Sequence, residues 1–135
     1  MSAELESVLR LLLALGLGMI IGLERQHAGK PAGLRTHVLV CIGAALFTLA
    51  SIYGFEEGSD PARVAAGIVT GIGFLGAGMI LRTREGSVHG LTTASSIWAV
   101  AAIGLTAGAG MYVLAPVATF VILVVLRLPK KIGGE

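Results

Sequence analysis

Apolar stretches alternate with short polar ones along the chain, and five of them reach the length of a membrane-crossing helix: roughly Leu5–Leu23, Thr36–Phe55, Ala62–Leu81, Leu91–Gly108 and Met111–Leu128. Crossing the hydrocarbon core takes about 20 predominantly apolar residues as a helix. In lipid every backbone polar group must be satisfied, which a helix achieves within one segment. The pattern predicts an all-α integral membrane fold, a bundle of five transmembrane helices. Residues 1–128 form this domain, and 129–135 are read as a short cytoplasmic tail with no soluble C-terminal domain. The "GAGMY" link before the last run allows only a tight hairpin. That run, "MYVLAPVATFVILVVLRL", lacks glycine and is rich in β-branched residues, which places it at the lipid-facing edge. The opening "MSAELESVLR" has neither the positive start nor the small-x-small site of a cleaved leader, so the first run is read as a permanent span.

Charge gives the bundle a direction. Lys and Arg in short loops mark the cytoplasmic side. Arg25, Lys30 and Arg35 follow the first run, Arg82 and Arg84 follow the third, and Arg127, Lys130 and Lys131 follow the fifth. Arg10 and Arg63 fall on the other side, together with Glu4, Glu6, Glu56, Glu57 and Asp60. The N-terminus is therefore expected outside and the C-terminus in the cytoplasm. Tyr53, Phe55 and Tyr112 lie at outer ends, as an interfacial aromatic belt does.

Composition narrows the function classes. The chain is 55% hydrophobic and 13% charged, against about 45–50% and 25% in soluble domains. A net charge of +2, with no basic stripe interleaved with aromatics, argues against nucleic acid. Cys41 is the lone cysteine, so no intrachain disulfide forms. No Ser-His-Asp or paired-carboxylate arrangement emerges, and the chain is read as not an enzyme.

The segment Gly71-Ile72-Gly73-Phe74-Leu75-Gly76 spells G-x-G-x-x-G, the dinucleotide fingerprint. That motif needs a strand-to-helix turn and an acid about 20 positions later. Here it lies inside an apolar run, and the chain reads "TTASS" where the acid belongs, so no cofactor is expected. Small residues at helical spacing let helix backbones approach closely. Ala14, Gly18 and Gly22 form such a row, as do Gly67, Gly71 and Gly78, and Gly104 and Gly108. Gly73 and Gly76 belong to the same packing or open a local break or pore lining.

The cytoplasmic face gathers the polar candidates. "GLRT" (Gly33 to Thr36) opens the second run and "GLTT" (Gly90 to Thr93) the fourth, each after a run carrying "GMI" at Gly18 and Gly78. This hints at a parallel two-helix repeat, with shared capping chemistry as the plainer account. Thr36 and Thr92 or Thr93 suit N-caps. Two helix N-termini, with Arg25, Arg35, Arg82 and Arg84, should draw an anion or acidic headgroup. Glu24 is expected to pair with Arg35 or Arg82, either fixing the loops or serving as a functional acid. His27, His37 and His89 share this face and suit zinc better than magnesium, though loop histidines are commonly no more than that. Ser95, Ser96, Thr70 and Thr106 are read as interhelical hydrogen bonders, and Trp98 as packing bulk.

The stretches "GLGMIIGLERQ", "AGLRTHVLV", "GIVTGIGFLGAGMILR" and "HGLTTASSIWAVAAIGLTAGAGMY" strongly resemble the MgtC/SapB membrane-protein family over roughly Gly16 to Tyr112. Glu24, Arg25, Gln26, Gly33, Leu34, Arg35 and Thr36 match its motifs. So do Gly71, Gly73, Phe74, Gly76, Gly78, Gly90, Leu91, Thr92 and Thr93. The resemblance implies a multi-pass protein of the bacterial inner membrane, linked to low-magnesium adaptation and, in some members, to survival inside macrophages. It implies a regulatory role, including restraint of the F-type ATP synthase, rather than established magnesium transport, though members are commonly labelled magnesium transporters. Its candidate cluster is Glu24, Arg25, Gln26, Arg35, Thr36, Arg82, Thr92 and Thr93. Partners expected are the lipid bilayer, a second copy of the chain, and membrane proteins such as ATP synthase. Magnesium stays a candidate ligand or transported ion. Many members continue into a soluble C-terminal domain, whereas these residues stop at "RLPKKIGGE".

Overall fold

The computed structural model describes residues 2–82 and 88–129, with Leu81, Arg82 and Val88 described by backbone alone. Five helices follow in chain order: α1 (Ala3–His27), α2 (Leu34–Tyr53), α3 (Pro61–Met79), α4 (Leu91–Gly108) and α5 (Leu114–Leu126). Between α3 and α4 lies a short antiparallel pair that the sequence did not announce, β1 (Leu81–Arg82) on β2 (Val88–His89), with Leu81 opposite His89.

Local chemistry starts the helices in different ways. Ser2 caps α1 by accepting the Leu5 N–H at 3.2 Å, with Glu4 and Glu6 in the first turn and Arg25 and His27 in the last, each sign favoured by the helix dipole. Asp60 accepts the Ala62 N–H at 3.0 Å, and Pro61 opens α3. The threonine caps expected for α2 and α4 are not used. Gly33 and Gly90 occupy those positions without side-chain caps, and Gln26 Oε1 reaches from α1 to accept the Leu34 N–H at 3.0 Å. Gly90 has φ +92, and a Cβ there would fall on the Met79 carbonyl, so the chain turns where only glycine fits.

Four helices, α1 to α4, are long and apolar enough to cross a membrane. The fifth expected span is shorter than read: α5 has 13 residues, about 20 Å against a hydrocarbon core of about 30 Å. The apolar run begins at Met111, but Met111–Val113 is spent on a turn after Gly110, whose φ is +84. Tyr112 in that turn donates its hydroxyl to Glu6 at 2.6 Å. This bond to a carboxylate pushes the phenol pKa above its ordinary value.

Helix α4 is the hub, touching α1, α2, α3 and α5. Ala14, Leu17, Ile21, Cys41, Ala45, Val100, Ile103 and Ala107 fill the seam between α1, α2 and α4. Glycines set its tightness. A Cβ on Gly18 would lie 2.8 Å from Cys41 Cβ, and one on Gly22 2.9 Å from Leu34 Cα. One on Gly108 would lie 2.8 Å from the Ala45 carbonyl oxygen. Gly104 meets the backbone of Cys41 in the same way. Helix α3 differs: Gly76 alone of its residues is buried, and a Cβ there would lie 3.7 Å from Ala94 Cβ. A Cβ on Gly67, Gly71, Gly73 or Gly78 would meet nothing within 4 Å among the described residues. Trp98, read as packing bulk, is instead 57% exposed and points away from the bundle.

Successive helices run in opposite directions, and the contacts define two ends. At one, Arg10 bonds Glu6 and the Gly108 carbonyl, each at 3.0 Å, and stacks 5.5 Å from the Tyr53 ring. Ser51 reaches the Pro61 carbonyl at the same end, bringing Arg63 near it. At the other, α1 and α5 finish and α2 and α4 begin, which gathers Arg25, Lys30, Arg35 and Arg127. Arg25, Lys30, Arg35 and Arg127 thus share one end with Glu24, while Glu4, Glu6, Glu56, Glu57 and Asp60 share the other with Arg10 and Arg63. Arg84, Lys130 and Lys131, counted with the basic end in the sequence, lie outside the described residues.

Candidate functional site

The basic end is built around a buried arginine. Gly18, Ile21 and Gly22 are buried on the inner face of α1, and Arg25 continues that face one turn on. The side chain is therefore carried inward and is 2% exposed. Its Nε donates to Glu24 Oε1 at 2.6 Å, and Nη2 donates to the Leu126 carbonyl at the end of α5 at 3.2 Å. A cation at a helix C-terminus meets the negative end of the helix dipole, which explains what draws Arg25 there. Its Nη1 is buried and has no partner among the described residues. Leaving a buried donor unpaired costs about 1–3 kcal/mol, and more for a charged group.

Next to it lies a pocket of about 420 Å³, lined on one side by Arg25, Lys30, Thr92, Ser95 and Ser96 and on the other by apolar residues of α5. Thr92 and Ser95 belong to the first turns of α4. Behind them a polar link ties α2 to α4. His37, wholly buried, donates from Nδ1 to the Gly33 carbonyl at 2.9 Å and meets Ser96 Oγ at 2.8 Å through Nε2. Ser96 Oγ also lies 2.7 Å from the Thr93 carbonyl. His37 is thus a core residue in the first turn of α2, not a loop histidine.

The cluster expected from sequence is only partly brought together. Glu24 and Arg25 pair with each other; the anticipated partner Arg35 is exposed, as is Thr36 beside it. The side chain of Arg82, the other anticipated partner, lies outside the described residues. Gln26 serves as the α2 cap, Thr92 lines the pocket, and Thr93 is buried behind it. The three histidines are not assembled for metal. His27 is exposed on its own helix, with Nδ1 donating to the Leu23 carbonyl at 2.8 Å, and His89 is exposed. Among the described residues no group of three His, Cys, Asp or Glu could hold an ion. Of the interhelical hydrogen bonders expected, Ser96 is one, whereas Thr70 and Thr106 donate to carbonyls of their own helices, Ala66 and Ala102. The role of Lys30 and Ser95 was missed, and the place of Arg25 as the site's centre was visible only in its spacing from Gly18, Ile21 and Gly22.

Comparison with known proteins places this architecture. The model of the MgtC family matches residues 11–134. "Putative magnesium transporter YhiD" of Escherichia coli is 49% identical over 130 residues, covering 91% of this chain and 60% of that protein. "Protein MgtC" of Salmonella typhimurium is 50% identical over 117 residues, 86% of this chain and 49% of the relative. "Protein SrpB" of Synechococcus elongatus is 43% identical over 135 residues, 91% and 74% of the two chains. The chain therefore spans about half to three-quarters of the length of these relatives. No solved structure matches. With its helices, its motif-bearing basic end and these relatives agreeing, the chain is a multi-pass membrane protein that belongs to the MgtC family.

Proposed function

We propose that this chain is a non-enzymatic regulator in the bacterial inner membrane, serving adaptation to low magnesium and to intracellular stress by helix contacts with membrane partners such as the F-type ATP synthase. The observation that supports this reading is the open face of α3. Gly67, Gly71 and Gly78 share one side of α3 and repeat the small-residue chemistry found along α1 and α4, yet a Cβ on any of them would meet nothing within 4 Å among the described residues. In lipid there is no hydrophobic drive between helices, so association depends on such close backbone approach. Beside this face runs an apolar groove of about 600 Å³ between α2 and α3, with Leu39, Phe47, Gly67, Gly71 and Leu75 in its walls. A transmembrane helix of a partner fits both features. The Lys and Arg distribution sets the basic end toward the cytoplasm in this reading.

Magnesium transport, suggested by the name of one relative, asks for octahedral oxygen ligands along a path. The acids in the sequence fall at helix ends or between the apolar runs. The buried hydroxyls of Thr48 and Thr119 donate to the carbonyls of Ala44 and Ala115 in their own helices. These placements favour the regulator. The test is proton-driven ATP synthesis in vesicles that hold ATP synthase with and without this chain. Synthesis is expected to fall when the chain is present and to recover with Gly71→Leu. Unchanged synthesis, together with magnesium flux in liposomes holding this chain alone and lost in Glu24→Ala, would reverse the reading.

A further inference from the structure

We propose that the pocket at the basic end binds a phosphate-type oxyanion, presented by the headgroup of an anionic phospholipid. Arg25 lines this pocket and keeps one guanidinium nitrogen, Nη1, buried without a partner among the described residues. Its other nitrogens are committed to Glu24 and to the Leu126 carbonyl, so Nη1 is the donor left over. Of the other polar side chains on that wall, the Lys30 ammonium and the hydroxyls of Thr92 and Ser95 can donate, while Ser96 Oγ is already held by His37 and the Thr93 carbonyl. Thr92 and Ser95 stand in the opening turns of an 18-residue helix, whose free N–H groups and dipole favour an anion. Glu24 is offset by Arg25 at 2.6 Å, and Lys30 then leaves the site with surplus positive charge. Among the described residues a cation finds no free carboxylate here; an oxyanion finds charge and several donors.

The opposite wall identifies the carrier. It consists of Ile122, Val125 and Leu126 of α5 with Leu128 beyond it. Val125 is 57% exposed and Leu128 48%, so this wall is continuous with the outer surface of the bundle. A pocket polar on one side and apolar on the other, opening along a short lipid-facing helix, matches an amphiphile better than a free ion. The site stands whether or not the chain restrains ATP synthase, and its test reads lipid rather than ATP.

The experiment uses this chain in phosphatidylcholine nanodiscs doped with phosphatidylglycerol, with retained lipid counted by native mass spectrometry. The expected result is a preference for phosphatidylglycerol of about tenfold, as charge-assisted hydrogen bonds confer. Lys30→Gln and Ser95→Leu should each cut that preference by about threefold or more, the first by removing charge and the second by filling the pocket. Both positions are solvent-accessible, so helicity and thermal stability should stay unchanged. A parallel arm adds inorganic phosphate. If phosphate leaves the lipid in place, the lipid is the source; if it displaces phosphatidylglycerol from the unaltered chain, the oxyanion chemistry stands and a free phosphate is the occupant. Equal retention of both lipids without displacement by phosphate, or a preference untouched by both variants, overturns the proposal.

Discussion

Replacing Gly104 by alanine puts a methyl group onto the backbone of α2. The new Cβ would lie 2.9 Å from the Cys41 carbonyl carbon and 3.1 Å from Ala44 Cβ, and closer still to the Cys41 carbonyl oxygen. A carbon keeps roughly 3.3 Å or more from such an oxygen, so α2 and α4 must part by about an ångström. Parting them strains a seam that also holds Gly108 against Ala45 and His37 against Ser96. Overpacking of this kind costs about 1–3 kcal/mol, and backbone atoms cannot rotate away as a side chain end can, which puts the cost near the top of that range. Alanine returns up to about 1 kcal/mol through helix propensity. The net loss is about 2 kcal/mol, or a factor of about 30 in the folded-to-unfolded ratio. Gly71→Ala is the matched control, because a Cβ there meets nothing within 4 Å; its change should stay within about 0.5 kcal/mol or be slightly stabilising. Reversible unfolding of the purified chain in mixed micelles of increasing SDS fraction, followed by helical circular dichroism, measures both. A Gly104→Ala variant as stable as the unaltered chain, or a Gly71→Ala variant equally damaged, would refute the close approach of α2 and α4.

Arg25→Met should cost about 3–5 kcal/mol, because it strands Glu24, whose side chain is 8% exposed; adding Glu24→Gln should restore most of it in the same unfolding assay, and equal losses in single and double variants would contradict the buried pair. Gln26→Ala removes the acceptor of the Leu34 N–H and should cost about 1 kcal/mol, with faster hydrogen exchange confined to the first turn of α2. In a Tyr53→Phe background, Glu6→Gln should lower the pH midpoint of the Tyr112 phenolate band, since the carboxylate bond that favours the neutral phenol is gone; an unmoved midpoint would mean the two groups do not meet.

What the sequence could and could not convey follows from the range of each effect. Rows such as Gly18 with Gly22 and Gly104 with Gly108 are local, set by the helical period, and a Cβ on any of the four would meet an atom of α2 at under 3.0 Å. The row of Gly67, Gly71 and Gly78 has related spacing yet faces outward, because spacing defines a face and not the neighbour opposite it. The pairing of Glu24 with Arg25 was not legible for a similar reason. Arg35 and Arg82 stand in the same basic end, and what fixes Arg25 beside Glu24 is a carbonyl of α5 about a hundred residues away. Helix starts at Gly33 and Gly90 were hidden because threonine is the better cap in isolation, whereas here the Met79 carbonyl leaves no room for a Cβ at Gly90. The length of α5 was overread since apolarity alone does not separate a helix from the turn at Met111–Val113. The pocket drew on Lys30, Thr92 and Ser95 from separate segments, which no single motif connects.

In the proposed function, α3 offers its open glycine face to a partner helix in the membrane. A photo-activated cross-linker placed at Gly71 in native bacterial membranes, with the same group at Gly16 on the exposed side of α1 as control, tests this contact. A discrete adduct to a membrane subunit of the ATP synthase is expected from position 71, and none from position 16. Adducts to lipid alone from both positions would contradict it.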